Sequence, residues 1–88
     1  MKMRNITGKR IKLARISRDL KQVDLCAALE VDKGIKISQT TLSEIEKGSR
    51  TVKDSDLIVF AEVLDISPMW LLFGDETPEF GTILSGNI

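Results

Sequence analysis

Ser38 to Gly48, with the sequence SQTTLSEIEKG, concentrates side chains suited to recognition rather than to bond making. At helical spacing Gln39, Thr40, Ser43, Glu44 and Lys47 share one side, while Leu42 and Ile45, three apart, share the other. The polar side offers amide, hydroxyl, carboxylate and ammonium groups, the types that meet base edges and phosphates in a DNA major groove. Ser38 has the chemistry of an N-cap and Gly48 that of a left-handed stop. The spacing therefore predicts a short helix over 38–47 with both ends marked. Polar helix faces are common, so the surrounding chain has to say what this one is for.

Bond-making chemistry is poorly provided. The 88 residues contain no histidine and no tyrosine, and the one cysteine cannot form an internal disulfide. Ser-His and Cys-His nucleophile pairs and imidazole zinc sites are excluded, and no glycine-rich phosphate loop is present. Carboxylates alone remain available for acid-base work. The expectation is a protein that is not an enzyme, with no catalytic residue, no metal and no cofactor. Cys26 falls on a predicted helix face that would bury it as an inert thiol.

A chain of this length forms one domain with a single core. Hydrophobic content of 42% with 30% charged residues describes an ordinary folded chain rather than a disordered one. No apolar run approaches the roughly 20 residues of a membrane helix, and no apolar stretch follows the basic start as in a signal peptide. A cytoplasmic protein is expected. The net charge is zero, yet it is unevenly spread. Residues 1–22 carry eight basic side chains and one acid, a balance of +7, whereas residues 49–88 balance at −5 and residues 23–48 at −2. Such polarity fits a positive face turned toward phosphates, or equally a solvated basic helix.

Around the recognition segment, five helices are expected. The first opens near Asn5 or Thr7 and runs to about Arg18, with Ile11, Ala14 and then Leu20 inward. Arg15 lies at the edge of that face, where a charge needs a partner or must snorkel. Asp19 marks the stop, because Asp tolerates the left-handed region. The second helix, about Gln22 to Glu30, buries Leu25, Cys26 and Leu29. Gln22 in its first turn suits either a phosphate or an internal capping contact. Val31 to Ile37 is then a connection with Gly34 as its turn and an Ile35/Ile37 alternation that allows a short extended piece. A fourth helix opens at Asp54 or Ser55 and buries Leu57, Phe60, Ala61 and Leu64. The last has Ser67 as N-cap, Pro68 at its first position, Trp70 as a core plug and Gly74 past its end. Residues 75–88 form a tail with Phe80, Ile83, Leu84 and Ile88, either frayed or packed on its own domain or on a second subunit.

In this order the motifs carry a resemblance. Gly8-Lys9-Arg10-Ile11, Arg15, Leu20-Lys21-Gln22, Leu25, Leu29, Ser38 to Gly48, Leu57 to Leu64 and Ile66 to Gly74 together resemble the Cro and phage-repressor-like, or XRE-like, helix-turn-helix family. The likeness covers about residues 6–74. It implies an all-α fold, a compact five-helix bundle of the lambda-repressor-like kind, whose second and third helices form the helix-turn-helix. By matching position, Gln39, Thr40 and Glu44 are implied as base readers: Gln39 toward adenine, Thr40 toward a thymine methyl, Glu44 toward a cytosine amino group. Gln22 matches the family's phosphate-binding glutamine, and Thr41, Ser43, Lys47, Ser49, Arg50 and Lys53 are candidates for further backbone contact. Arg15 and Glu46 match a partly buried ion pair that ties the first helix to the third. The family pattern is broken by Asp19 in place of a frequent glycine, by Lys21 in place of a capping Ser or Thr, and by a long 30–37 connection.

The domain is thus expected to span residues 1–74, with 75–88 as the tail. The resemblance implies a sequence-specific transcriptional regulator, a repressor, that binds double-stranded DNA at a roughly palindromic operator as a homodimer. The alternative is a protein-binding module such as an antitoxin or anti-repressor, with a protein partner and with DNA secondary. That alternative draws on the acidic C-terminal half and the apolar tail.

Overall fold

A computed structural model describes residues 3–74, with side chains from Thr7 onward. The tail discussed above lies outside the described residues. Five helices follow one another: α1 (Met3–Ser17), α2 (Gln22–Lys33), α3 (Gln39–Lys47), α4 (Asp54–Leu64) and α5 (Pro68–Phe73), with no strand among the described residues. The all-α expectation holds, and the element order is the expected one.

The core draws on every helix. Ile11 and Ala14 of α1, Leu25 and Leu29 of α2, and Leu42 and Ile45 of α3 meet Leu57, Phe60, Ala61 and Leu64 of α4 and Leu71 of α5. The first four helices contribute at three- or four-residue spacing and α5 adds one leucine, so the bundle closes around one apolar centre. The Leu42/Ile45 side of α3 is therefore fastened inward, which leaves its opposite side facing out. α1 packs more extensively on α3 than any other pair of helices packs together. Gly8 makes that approach possible: a Cβ there would overlap the carbonyl oxygen of Ile45.

Helix ends explain most departures from expectation. α1 starts at Met3, before Asn5 and Thr7; Thr7 is buried inside the helix rather than capping it. Thr7, Ile11, Ala14 and Arg15 make one buried stripe, which extends the packed face by a turn toward the N-terminus. α2 continues to Lys33, beyond Glu30, and stops at Gly34 in the left-handed region (φ 69°). Lys33 favours the C-terminal end of the helix dipole, and its ammonium lies 2.6 Å from the Glu62 carboxylate of α4. The connection to α3 shrinks to residues 34–38, without regular structure. Ile35 and Ile37 are half-buried against the core while Lys36 between them is exposed.

α4 begins at Asp54, but Lys53 occupies the cap position and its side chain makes no capping bond. Asp54 and Asp56 in the first turn complement the dipole instead. Asp19 (φ 60°) ends α1 as expected, and Asp65 (φ 56°) ends α4 in the same way. Ser67 accepts from the amides of Met69 and Trp70 at the start of α5. Trp70 is half-buried, and Leu71 is the α5 side chain that fills the core.

Candidate nucleic-acid interface

Ser38 and Gly48 frame α3 as their chemistry suggests. The Ser38 hydroxyl accepts from the Thr41 amide at 3.0 Å. Gly48 takes φ 86°, its amide bonding to Ile45 O and the Ser49 amide to Glu44 O. Between these ends Gln39, Thr40 and Lys47 are exposed, and Ser43 and Glu44 are half-exposed. Together with Gln22 from α2, these five side chains line one shallow polar groove of about 400 Å³. The groove therefore gathers the three candidate base readers with Gln22, Ser43 and Lys47.

Not every candidate joins them. Thr41 is spent on the cap, its hydroxyl 3.0 Å from that of Ser38, and it lines a separate, largely apolar cleft behind α3. Lys53 also lines that cleft, while Ser49 turns its hydroxyl back onto Glu44 O at 3.1 Å. Arg50 lines that cleft too, but its Nε and Nη2 both lie 2.8 Å from Oε1 of Glu44, a residue of the groove.

Beneath the groove lies a buried anchor. Arg15 Nε is 2.7 Å from Glu46 Oε2 and its Nη2 is 3.1 Å from Oε1, so the guanidinium grips the carboxylate with both prongs. The remaining Arg15 prong donates to Leu20 O at 2.7 Å, which also ties down the turn into α2. Both side chains are buried, and no buried side-chain polar atom among the described residues lacks a partner. This pair fixes α3 relative to α1 and to the start of α2.

The anchor extends outward as a hydrogen-bond chain. Gln22 Nε2 donates to Glu46 Oε1 at 3.1 Å, and Gln39 Nε2 donates to Gln22 Oε1 at 3.2 Å. An ionised carboxylate only accepts, so Gln22 must turn its amino group toward Glu46 and its oxygen toward Gln39. That in turn obliges Gln39 to donate. One N–H and the carbonyl oxygen of Gln39 stay open, one donor and one acceptor, which is the set that pairs with adenine N7 and N6. Sequence reasoning placed these residues on the correct elements but missed the relay. The one signal for it was an acid, Glu46, on the inner side of an otherwise polar-outward helix.

Two basic residues of the N-terminal block are internal clamps. Arg18 donates to Leu64 O (2.8 Å) and Asp65 O (2.6 Å), closing the C-terminus of α4. Arg10 donates to Leu72 O at 2.9 Å and Leu71 O at 3.3 Å, closing α5. With Arg15 also consumed, much of the positive block serves the fold. Cys26, half-buried on α2, has its thiol pKa raised above the ordinary value of 9.0 by burial and then by the Glu46 carboxylate.

Among the described residues no helix is long and apolar enough to cross a membrane. A family model described as helix-turn-helix matches residues 11–71. The HTH-type transcriptional regulator DicA of Escherichia coli (strain K12) is 36% identical over 77 residues, covering 86% of this chain and 53% of its own. The chain thus spans about half the length of that curated relative. No solved structure matches the chain. A family model that runs from within α1 to within α5, and a relative alike across most of the chain, agree with this five-helix bundle. The chain belongs to the XRE-like helix-turn-helix family, a family of DNA-binding transcriptional regulators rather than of enzymes.

Proposed function

We propose that this protein is a sequence-specific transcriptional regulator, acting as a repressor in the cytoplasm, that inserts α3 into the DNA major groove. The observation that carries this reading is the open polar groove, in which exposed Gln39 spends one N–H on Gln22 and keeps one donor and one acceptor unused. Gln39 and Thr40, at the start of α3, and Glu44 one turn later are the base readers. Gln22 at the N-terminus of α2, where free amides favour an anion, contacts phosphate together with Ser43, Lys47 and Lys53, whereas Ser49 has both its donors on Glu44 O. The protein binds as a homodimer to a roughly palindromic operator, because one α3 per subunit must reach the same face of the duplex. Half-sites then lie about 34–36 Å apart, one helical turn.

Selection of bound sequences from a random double-stranded library tests this. The expected result is an enriched palindromic site whose retention in a gel shift is lost by Gln39→Ala and Thr40→Ala. A second reading, a protein-binding module with DNA secondary, is supported by the apolar groove formed by Leu13, Ala14, Ser17, Ile66, Ser67 and Trp70. Failure to retain any DNA at low salt favours that second reading.

A further inference from the structure

We infer that Glu44 and Arg50 act as one specificity-determining unit, in which Arg50 positions the Glu44 carboxylate for a cytosine amino group instead of holding a phosphate. The inference rests on the proposal that α3 reads the major groove. Arg50 Nε and Nη2 converge on the same oxygen, Oε1, each at 2.8 Å, and Oε2 carries no hydrogen bond among the described residues. A carboxylate held by one oxygen has the other free to accept in a fixed direction.

The backbone delivers Arg50 to this place. Gly48 in the left-handed region reverses the chain after α3, and the Ser49 amide and hydroxyl both bond to Glu44 O, at 3.0 and 3.1 Å. The main chain of Glu44 thereby anchors the turn that returns Arg50 to its own side chain. Both side chains are about half exposed, so the pair contributes little to stability. Its effect lies in charge and aim. A lone carboxylate beside the DNA backbone would be repelled by phosphates, whereas paired with a guanidinium it approaches as a neutral unit. Its open Oε2 then meets cytosine N4 as acceptor to donor, while guanine O6 and N7 or thymine O4 would set acceptor against acceptor, and adenine sets its N7 acceptor beside the N6 donor. If Arg50 left for a phosphate, Glu44 would stay uncompensated in the groove.

The test measures binding of the full chain to the selected site and to all single-base variants of one half-site, across a salt series. Wild type, Glu44→Gln and Arg50→Ala are compared. For wild type, one position in the half-site should require cytosine by about 5- to 150-fold. Both variants should lose that preference at the same position and keep the preference read by Gln39, with the salt slope of Arg50→Ala unchanged. Glu44→Gln keeps the shape of the side chain, so the comparison survives even if Arg50→Ala folds poorly. Loss spread evenly over all sequences in Arg50→Ala, with a salt slope lower by about one, makes Arg50 a phosphate contact and overturns the inference. An enriched site with no cytosine requirement overturns it as well. A wild-type protein that enriches no sequence removes the DNA reading itself, before the variants are compared.

Discussion

Glu46 touches three functions at once: it balances Arg15, orients Gln22, and raises the thiol pKa of Cys26. Removing it leaves a buried guanidinium without its counter-ion, a loss of about 3–5 kcal/mol. Glu46→Ala should therefore melt well below wild type, and unchanged melting would remove the pair from this account. Glu46→Gln separates charge from shape. It should lower the Cys26 titration, followed by the ultraviolet absorbance of the thiolate, because one of the two causes of the upward shift is gone. The wild-type thiol should react with iodoacetamide more slowly than a free cysteine at neutral pH. Its native form holds the proton more tightly than the unfolded form. That contribution to stability is complete below the unfolded thiol range and declines as pH rises through about 9 toward the native value.

At the scale of the helix, two contacts set where α3 stands. Gly8 lets α1 approach α3 so closely that any side chain there would meet the Ile45 carbonyl. Alanine normally gains about 1 kcal/mol over glycine inside a helix, yet the overlap should reverse the sign. Gly8→Ala is expected to destabilise by about 1–3 kcal/mol, while Lys12→Ala on the exposed side of α1 stays near wild type in the same thermal melt. Arg18 makes the second kind of contact, bonding to the last carbonyls of α4. Arg18→Ala should cost about 1.5–3 kcal/mol, the range for hydrogen bonds to a charged group. It should leave the salt slope of DNA binding unaltered, since this guanidinium is turned to the protein. A reduced slope would instead make Arg18 a phosphate contact.

For the whole molecule, a net charge of zero coexists with DNA binding only if the positive groups left free are gathered at the interface. Arg10, Arg15 and Arg18 are not among them, so the +7 of residues 1–22 overstates the field that DNA would meet. What counts is the number of phosphates that a dimer covers. With about 6–10 contacts, affinity should fall by about 10³–10⁵ between 50 and 200 mM salt. Binding measured by fluorescence anisotropy that ignores salt would contradict the phosphate assignments. Dimer formation at the DNA-binding concentration is checked by sedimentation of the intact chain.

Local pattern alone was enough for much of this. Apolar spacing in Leu57 to Leu64, the Ser67-Pro68 start, the left-handed stops at Asp19 and Gly48, and the two-sided character of α3 all follow from interactions within a few residues, which a linear chain displays. Other features depend on partners distant in the chain. Whether Arg10 and Arg18 face phosphate or cap a helix was settled by carbonyls more than forty residues away. Lys33, in the last turn of α2, finds Glu62 of α4, and the orientation of Gln39 descends from a carboxylate that only folding brings beside Gln22. Charge and amide groups have many possible partners, and their roles are chosen by whichever one the packed helices set within hydrogen-bond reach. Apolar periodicity names its face in advance, because burial needs no particular partner, only a shared interior.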